Sequence, residues 1–476
     1  MSQLSLTPQV CEAGPFRGYV KLHWIRAAAQ RRRAERVGAL FHHLGVDNLR
    51  RAFRELDGSR ASGVDGVTKQ QYHVKLEDNL RALHSTIRCG RWRPRPSREV
   101  LIPKPQGGTR PLAVGCLEDK IVQTLAARIL EAIYEPLFHR HSYGFRRGKS
   151  AHQALGRLFS VITARKKQCV VVEMDIEKFF NSVDHEWLLQ KLKLKIDDSH
   201  FLRLISRMLR GSILHEDGAL AESERGTPQG SPVSPMLANI CLHHLLDGWF
   251  ESEFAGKGEF VRYADDAVFV FTDADVAQNF QAALQSRLQE AGLSLNIAKS
   301  AIVPFSSTAP QGVVSFLGFD FFWGRDRNGG RQLKVKTAAK RLHRSMQAFT
   351  DWAKAARHTK PLKQLWADAA VRLRGHFNYY GVTFNEAKLN HFRFVCIGSL
   401  FKWLNRRSQK RSFSWGQFYR REHFNPLPPS PRGDELIDIT SEHHSVRKHQ
   451  PKSRMREIRT SGSERSLSWS RQLRFT

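Results

Sequence analysis

Two periods of apolar residues alternate along the chain, and the points where one gives way to the other predict its elements. In FVRYADDAVFV (260–270), Phe260, Val261 and Tyr263 precede a pair of acids and Val268, Phe269 and Val270 follow it. That pattern predicts two short strands joined by a tight turn, with Asp265 and Asp266 at the tip. LIPKPQGGTRPL (101–112) reads as strand, Gly-Gly turn and strand, while CVVVEMDI (169–176) is a β-branched run ending in an acid. Helical spacing of apolar residues marks 120–138, 184–195, 236–247 and 273–291, the third opening from the turn-rich GTPQGSPVSP. LSLNIAKSAIV (293–303) and VSFLGFDFFW (314–323) read as strand pairs. The segment 21–60 is helical in tone and Arg-rich, and SGVDGV (62–67) interrupts it.

Length and charge narrow this picture. A chain of 476 residues exceeds a single hydrophobic core, so two or three domains are expected. The net charge of +31 suits a polyanionic partner, nucleic acid first. The excess is concentrated: residues 321–430 carry 23 Lys and Arg against 5 Asp and Glu. No apolar run is long enough to span a bilayer, so no membrane partner is expected and the protein is read as soluble. Six cysteines stand apart from one another without a C-x-x-C pair. This pattern suits reduced thiols in a cytoplasmic compartment rather than zinc or a disulfide framework.

Adjacent acids in a hairpin are also ordinary turn chemistry, because Asp tolerates turn dihedrals and bonds its own backbone. A metal site needs a further carboxylate, and Asp175, ending the VVVEMD run, is the candidate. Taken alone, Asp175 reads as a strand-end cap. The order of segments decides between these. A Lys/Arg loop, MDIEKFFNSVDH, GTPQGSPVSP, YADD, LSLNIAKS and FLGF follow one another. That order resembles the reverse transcriptases, and the spacings and SGVDG opening resemble those encoded in group II introns, over roughly residues 40–325.

The resemblance implies an α+β right-hand polymerase, with fingers and palm built on antiparallel sheet and a mainly helical thumb or X domain after them. The implied divisions are a basic N-terminal extension (1–60), fingers and palm (61–325), thumb/X domain (326–425) and a basic mobile tail (426–476). It makes Asp175, Asp265 and Asp266 the catalytic acids and ligands of two Mg²⁺ ions, with Mn²⁺ as a substitute. Phe180 becomes the plate beneath the incoming sugar, where a ring excludes a ribose 2′-OH. Of Phe179 and Phe180, one is expected to be core. Gln229, Lys104, Arg110 and Lys299 are expected at the nucleotide, the cations on its phosphates. Gly318 is expected at the primer end, with a strand bulge as its plain alternative, and Tyr263 is either core or primer contact.

Downstream, RLRGHFNYYGV (372–382) and FKWLNRRSQKRSFSW (401–415) resemble the domain that follows the polymerase in intron maturases. Arg372, Arg374, Arg406, Arg407, Lys410 and Arg411 are the expected RNA contacts, by phosphate pairing among base-stacking aromatics. The expected partners are structured intron RNA, an RNA template with a DNA primer, deoxynucleotides and target DNA, in a cytoplasmic ribonucleoprotein. Second-strand cleavage is not expected, since no Cys pair follows Cys396. Two rival readings are a domesticated or defence-associated reverse transcriptase without an intron, and an RNA-binding splicing factor with an inactive polymerase. The acid triad speaks against the second.

Overall fold

The structure is a computed structural model that describes residues 16–31, 35–103, 108–308, 310–407, 414–424 and 426–440. Contacts divide the chain into two units, one from 1–151 and 172–302, the other from 152–171 and 303–476.

In the first unit, the helix Leu117–Tyr134 is buried on nearly every side, as its apolar run dictates. The helices Leu22–Arg31 and Val46–Glu55 pack against it through Leu22, Ile25, Leu49 and Phe53. The described part of 1–60, expected as an extension, is therefore seated in this core. Strands β1 (Ser97–Pro103) and β2 (Thr109–Val114) form the expected antiparallel hairpin, Pro103 opposite Thr109. β3 is Val170–Met174, and the two-residue strands β4 (Ile213–Leu214) and β5 (Leu220–Ala221) complete one sheet in the order β2-β1-β4-β5. A second sheet runs β6-β7-β3-β8, from β6 (Gly258–Tyr263), β7 (Asp266–Phe271) and β8 (Ala301–Pro304). β7 lies inside that sheet and is buried from Ala267 to Phe271, which explains its unbroken apolar run. Phe250, Phe260, Phe269 and Phe280 pack beneath it, the last two with ring centroids 4.4 Å apart.

LSLNIAKSAIV departs from its expected strand pair. Only its end is strand; Leu295 makes a single bridge to Ile176, and Asn296–Ser300 close a turn through Lys299 N–H and Ser300 N–H to the Asn296 carbonyl.

In the second unit, β9 (Val313–Phe316), β10 (Phe319–Arg325) and β11 (Arg331–Thr337) form an antiparallel sheet. Leu317 (φ +52°) and Gly318 (φ +81°) are the two-residue turn between β9 and β10. Both residues are left-handed, as a type I′ hairpin requires, so Gly318 is a turn residue and not a bulge. Helices Ala339–Thr359, Leu362–Tyr380, Glu386–Leu404 and Trp415–Phe424 follow. Phe349, Trp366, Leu373, Phe377, Phe392, Leu400 and Phe418 form their shared core. Leu427 joins that core, Ile439 is buried, and Ile437 bonds the Gly381 carbonyl at 2.8 Å. Residues 426–440 are thus packed where a mobile tail was expected; the remainder of that tail lies outside the described residues. Among the described cysteines, four are buried, Cys89 is exposed and all are free.

Candidate active site

The tip of the β6–β7 hairpin is a two-residue turn, Ala264-Asp265, with Tyr263 opposite Asp266. Ala264 is left-handed at φ +57°, a conformation that costs a non-glycine residue about 1 kcal/mol and must be held by its surroundings. The holding group is Arg262, fully buried in the middle of an apolar strand. Its guanidinium grips Asp247 through two bonds of 2.7 and 2.6 Å, and donates to the Asn239 side chain at 3.1 Å and the Ala264 carbonyl at 2.9 Å. Asn239 in turn donates to the Gly144 carbonyl at 2.8 Å. Residues 141–143 brace the same hairpin through His141 O to Arg262 N–H and Arg262 O to Tyr143 N–H. A Cβ on Gly144 would lie 2.2 Å from the Ala264 nitrogen, so only glycine lets this loop press against the turn.

Asp175 leaves β3, which neighbours β7 in the sheet, and so comes to the same end as the hairpin tip. Its Oδ2 accepts Asn296 Nδ2 at 2.9 Å and Lys299 Nζ at 3.3 Å, and its backbone N–H meets Ser300 Oγ at 3.2 Å. The turn at 296–300 thus places Lys299 on Asp175. Burial raises the pKa of Asp265, and the charge of Asp175 adds to it. A bond to its own backbone and the charges of Arg110 and Arg262 work the other way. A buried carboxylate beside a second one is a donor pair suited to a divalent cation. Asp266 is exposed, and among the described residues no three His, Cys, Asp or Glu side chains are drawn together closely enough to hold a metal ion.

Phe179 is buried core, whereas Phe180 is half-buried, edge-on to Phe179 at 5.4 Å and to Phe145 at 6.4 Å. GTPQGSPVSP closes against this segment: the Phe180 carbonyl accepts Thr227 N–H at 2.6 Å and the Val183 carbonyl accepts Gly226 N–H at 2.7 Å. Gly226 (φ +82°) sits so close that a Cβ would meet the Phe180 carbonyl oxygen at 2.6 Å. Gln229 donates to Asn181 Oδ1 at 3.0 Å, and its carbonyl accepts Ala113 N–H at 2.8 Å, tying β2 to the loop. Arg110 is exposed on β2, opposite Ile102, and its charge reaches Asp265. Tyr263 is half-buried. The first unit therefore gathers Asp175, Asp265, Arg110, Phe180, Gln229 and Lys299; Lys104 lies outside the described residues.

Of the remaining candidates, Gly318 holds a turn whose Leu317 carbonyl accepts Tyr379 OH at 2.9 Å. Arg372 is half-buried with its guanidinium 4.6 Å over the Trp352 ring, Arg374 and Arg406 are exposed, and Arg407 donates to the Lys360 carbonyl at 3.1 Å. Lys410 and Arg411 lie outside the described residues.

Residues 102–321 match the family described as reverse transcriptase (RNA-dependent DNA polymerase). These residues are a reverse transcriptase domain. Its relatives include the group II intron-encoded protein LtrA of Lactococcus lactis, 32% identical over 41% of this chain and 32% of LtrA. An uncharacterized 91 kDa protein in the cob intron of Schizosaccharomyces pombe is 45% identical over 35% of this chain and 20% of its own length. Protein YkfC of Escherichia coli is 32% identical over 47% of this chain and 59% of YkfC. The chain thus spans between about a fifth and three-fifths of the length of these relatives. The relatives so matched include proteins named for group II introns, and the likeness is carried by the reverse transcriptase domain. Arg262, Asp247, Asn239 and Gly144, which hold the Ala264-Asp265 turn, were not singled out by sequence; the signal was a charge inside each of two apolar runs, FVRY and ICLHHLLD.

Proposed function

We propose that the protein is an RNA-directed DNA polymerase that also binds intron RNA, assists its folding and splicing, and supports intron mobility. The observation that carries the polymerase reading is the placement of Asp265 on a braced turn beside the strand bearing Asp175. These two carboxylates, with Asp266 next to them, would hold Mg²⁺. The bound ions would activate a primer 3′-hydroxyl and offset charge on the triphosphate and departing pyrophosphate. Arg110 and Lys299 supply positive charge to the nucleotide phosphates, and for Lys299 this means exchanging its contact with Asp175 for one with substrate. Phe180 and Gln229 shape the sugar and base side, and Gly226 and Asn181 fix where they stand. The proposed template is RNA, the primer a DNA end and the substrates deoxynucleotides. Splicing assistance is proposed to act by binding, which favours the active RNA fold and uses none of the polymerase chemistry.

The test uses the double variant Asp265→Ala, Asp266→Ala and one flanking intron transcript. Primer extension should vanish while stimulation of splicing at low magnesium persists. Extension near the wild-type rate would overturn the site assignment. A wild-type protein that stimulates no flanking transcript would favour a domesticated reverse transcriptase.

A further inference from the structure

In the second unit, four cations converge on one ring. Lys354 Nζ lies 5.7 Å, Arg357 Cζ 4.8 Å, Lys402 Nζ 5.4 Å and Arg406 Cζ 5.4 Å from the centroid of Trp403. Lys354 and Arg357 come from the C-terminal half of the helix Ala339–Thr359, while Lys402 and Arg406 flank the end of Glu386–Leu404. No two of these charges are farther apart than about 11 Å, close to the screening length of ~8 Å at physiological salt. None of the four is ion-paired to an acid among the described residues, although Lys360, Arg393 and Arg432 of the same unit each are. One indole face accommodates a cation or two. The negative ends of the two helices offset a further part, and that influence fades within a turn. Four unpaired like charges at this spacing leave an electrostatic demand that an anion would meet.

We propose that Lys354, Arg357, Lys402 and Arg406, gathered around Trp403, form a seat for the phosphodiester backbone of a nucleic acid. The proposal rests on the nucleic-acid-binding reading above and assigns it a place; of the four residues, only Arg406 was expected from sequence. The form of the seat selects its ligand. A duplex presents a negative charge about every 1.7 Å of axis, so a cluster of this width meets several phosphates together, whereas a free phosphate meets only part of it. The half-buried ring is flanked by the cations, so the contact is with backbone and independent of base sequence. Arg357 is held in place by bonds to the Lys354 carbonyl at 3.0 Å and to His358 Nε2 at 2.8 Å, which leaves Lys354, Lys402 and Arg406 as the exposed arms.

The test compares wild-type protein with the variant Lys354→Gln, Arg357→Gln, Lys402→Gln, Arg406→Gln, measuring affinity for a structured RNA and for a DNA duplex against salt. The slope of log affinity against log salt should become shallower by about three units, with affinity near 0.1 M salt down about 100-fold. The variant's unfolding temperature should be no lower than wild type, because crowded like charges have been removed. Each pair of substitutions made alone should give about half the slope change, which keeps the test decisive if the quadruple variant misfolds. Loss on both nucleic acids supports the seat as stated, and loss on RNA alone supports it with RNA as the source. A wild-type slope that is steep and unchanged in the variant overturns the seat and leaves RNA binding intact. A flat wild-type slope overturns both. Protection of wild type but not variant by inorganic phosphate at matched ionic strength, with slopes unchanged, would make this a small-anion site and overturn the backbone assignment.

Discussion

The two units differ in how they hold the charges that matter most to their proposed roles. The first buries it in closed partnerships: Arg262 with Asp247, Asn239 and the Ala264 carbonyl, and Glu131 between Arg128 and Arg147. The second lays several of its cations over partly exposed aromatic rings, as with Arg372 on Trp352 and the group around Trp403. A buried ion pair admits one geometry, since any displacement strands a charge away from water. A cation on a half-exposed ring keeps rotamer freedom and full access to an anion. Chemistry at a polymerase centre needs the first arrangement, and a broad polyanionic surface is served by the second.

The contrast is open to direct attack. Arg262→Met should cost about 3–5 kcal/mol of stability, because Asp247 is then left buried and unpaired. Adding Asp247→Leu should restore much of that loss, yet primer extension should stay low, since the Ala264 carbonyl has lost its donor and the left-handed turn its brace. Arg372→Met in the second unit should cost only about 1 kcal/mol. Thermal unfolding of the three variants with parallel extension assays measures all of this; equal costs for Arg262 and Arg372 would remove the distinction between the units.

A smaller effect is expected at the sugar. Phe180→Val should raise use of ribonucleotides relative to deoxynucleotides about tenfold, equivalent to ~1.4 kcal/mol, in competition on one template. Unchanged discrimination would move the gate to another residue and leave Phe180 a packing partner of Phe145 and Phe179.

The most gradual effects are in pH dependence, and they run in opposite directions. Burial raises the pKa of Asp119 to about 7, so its carboxyl is neutral in the native state where the unfolded chain would ionise it. Stability from this group is complete below about pH 4 and falls as pH rises towards 7. Burial lowers His376 to about 3, where it stacks on Phe392 at 3.6 Å. Its contribution is complete above about pH 6.5 and falls as pH drops towards 3. Each slope is at most about 1.4 kcal/mol per pH unit. Asp119→Asn should flatten the first and His376→Phe the second in denaturant midpoints followed across that range; a slope that survives its substitution belongs to other groups.

What could be read from sequence, and what could not, follows from the range of the interactions. The β6–β7 hairpin, the Asp175 strand and the buried helix after the first hairpin are local patterns of apolar residues, and they stand where those patterns put them. Arg262 was illegible because an arginine in a strand reads as an outward position. Its burial depends on Asp247 and Asn239, which are 15 and 23 residues away in the chain. LSLNIAKS reads as strand by its alternation, but Asn296 bonding Asp175 turns the backbone, and no local propensity encodes that contact. β11 alternates openly in RQLKVKT, with Leu333, Val335 and Thr337 inward, and the basic composition around it masked a legible strand. Residues 426–440 look tail-like by their prolines, and the few apolar residues among them find places in a core assembled from distant helices.

The units alternate along the chain: first, second, first, second. Synthesis from the N-terminus therefore delivers residues 152–171 well before residue 303, where the rest of their unit begins. Until then the helix Ala151–Ala164, with Leu155, Leu158 and Ile162 destined for burial, has most of its own unit still unmade. A nascent chain in this state offers an apolar helix face to chaperones or to misassembly. For the same reason no single proteolytic cut yields the two units as separate fragments: cleavage after Ile302 leaves 152–171 on the wrong piece.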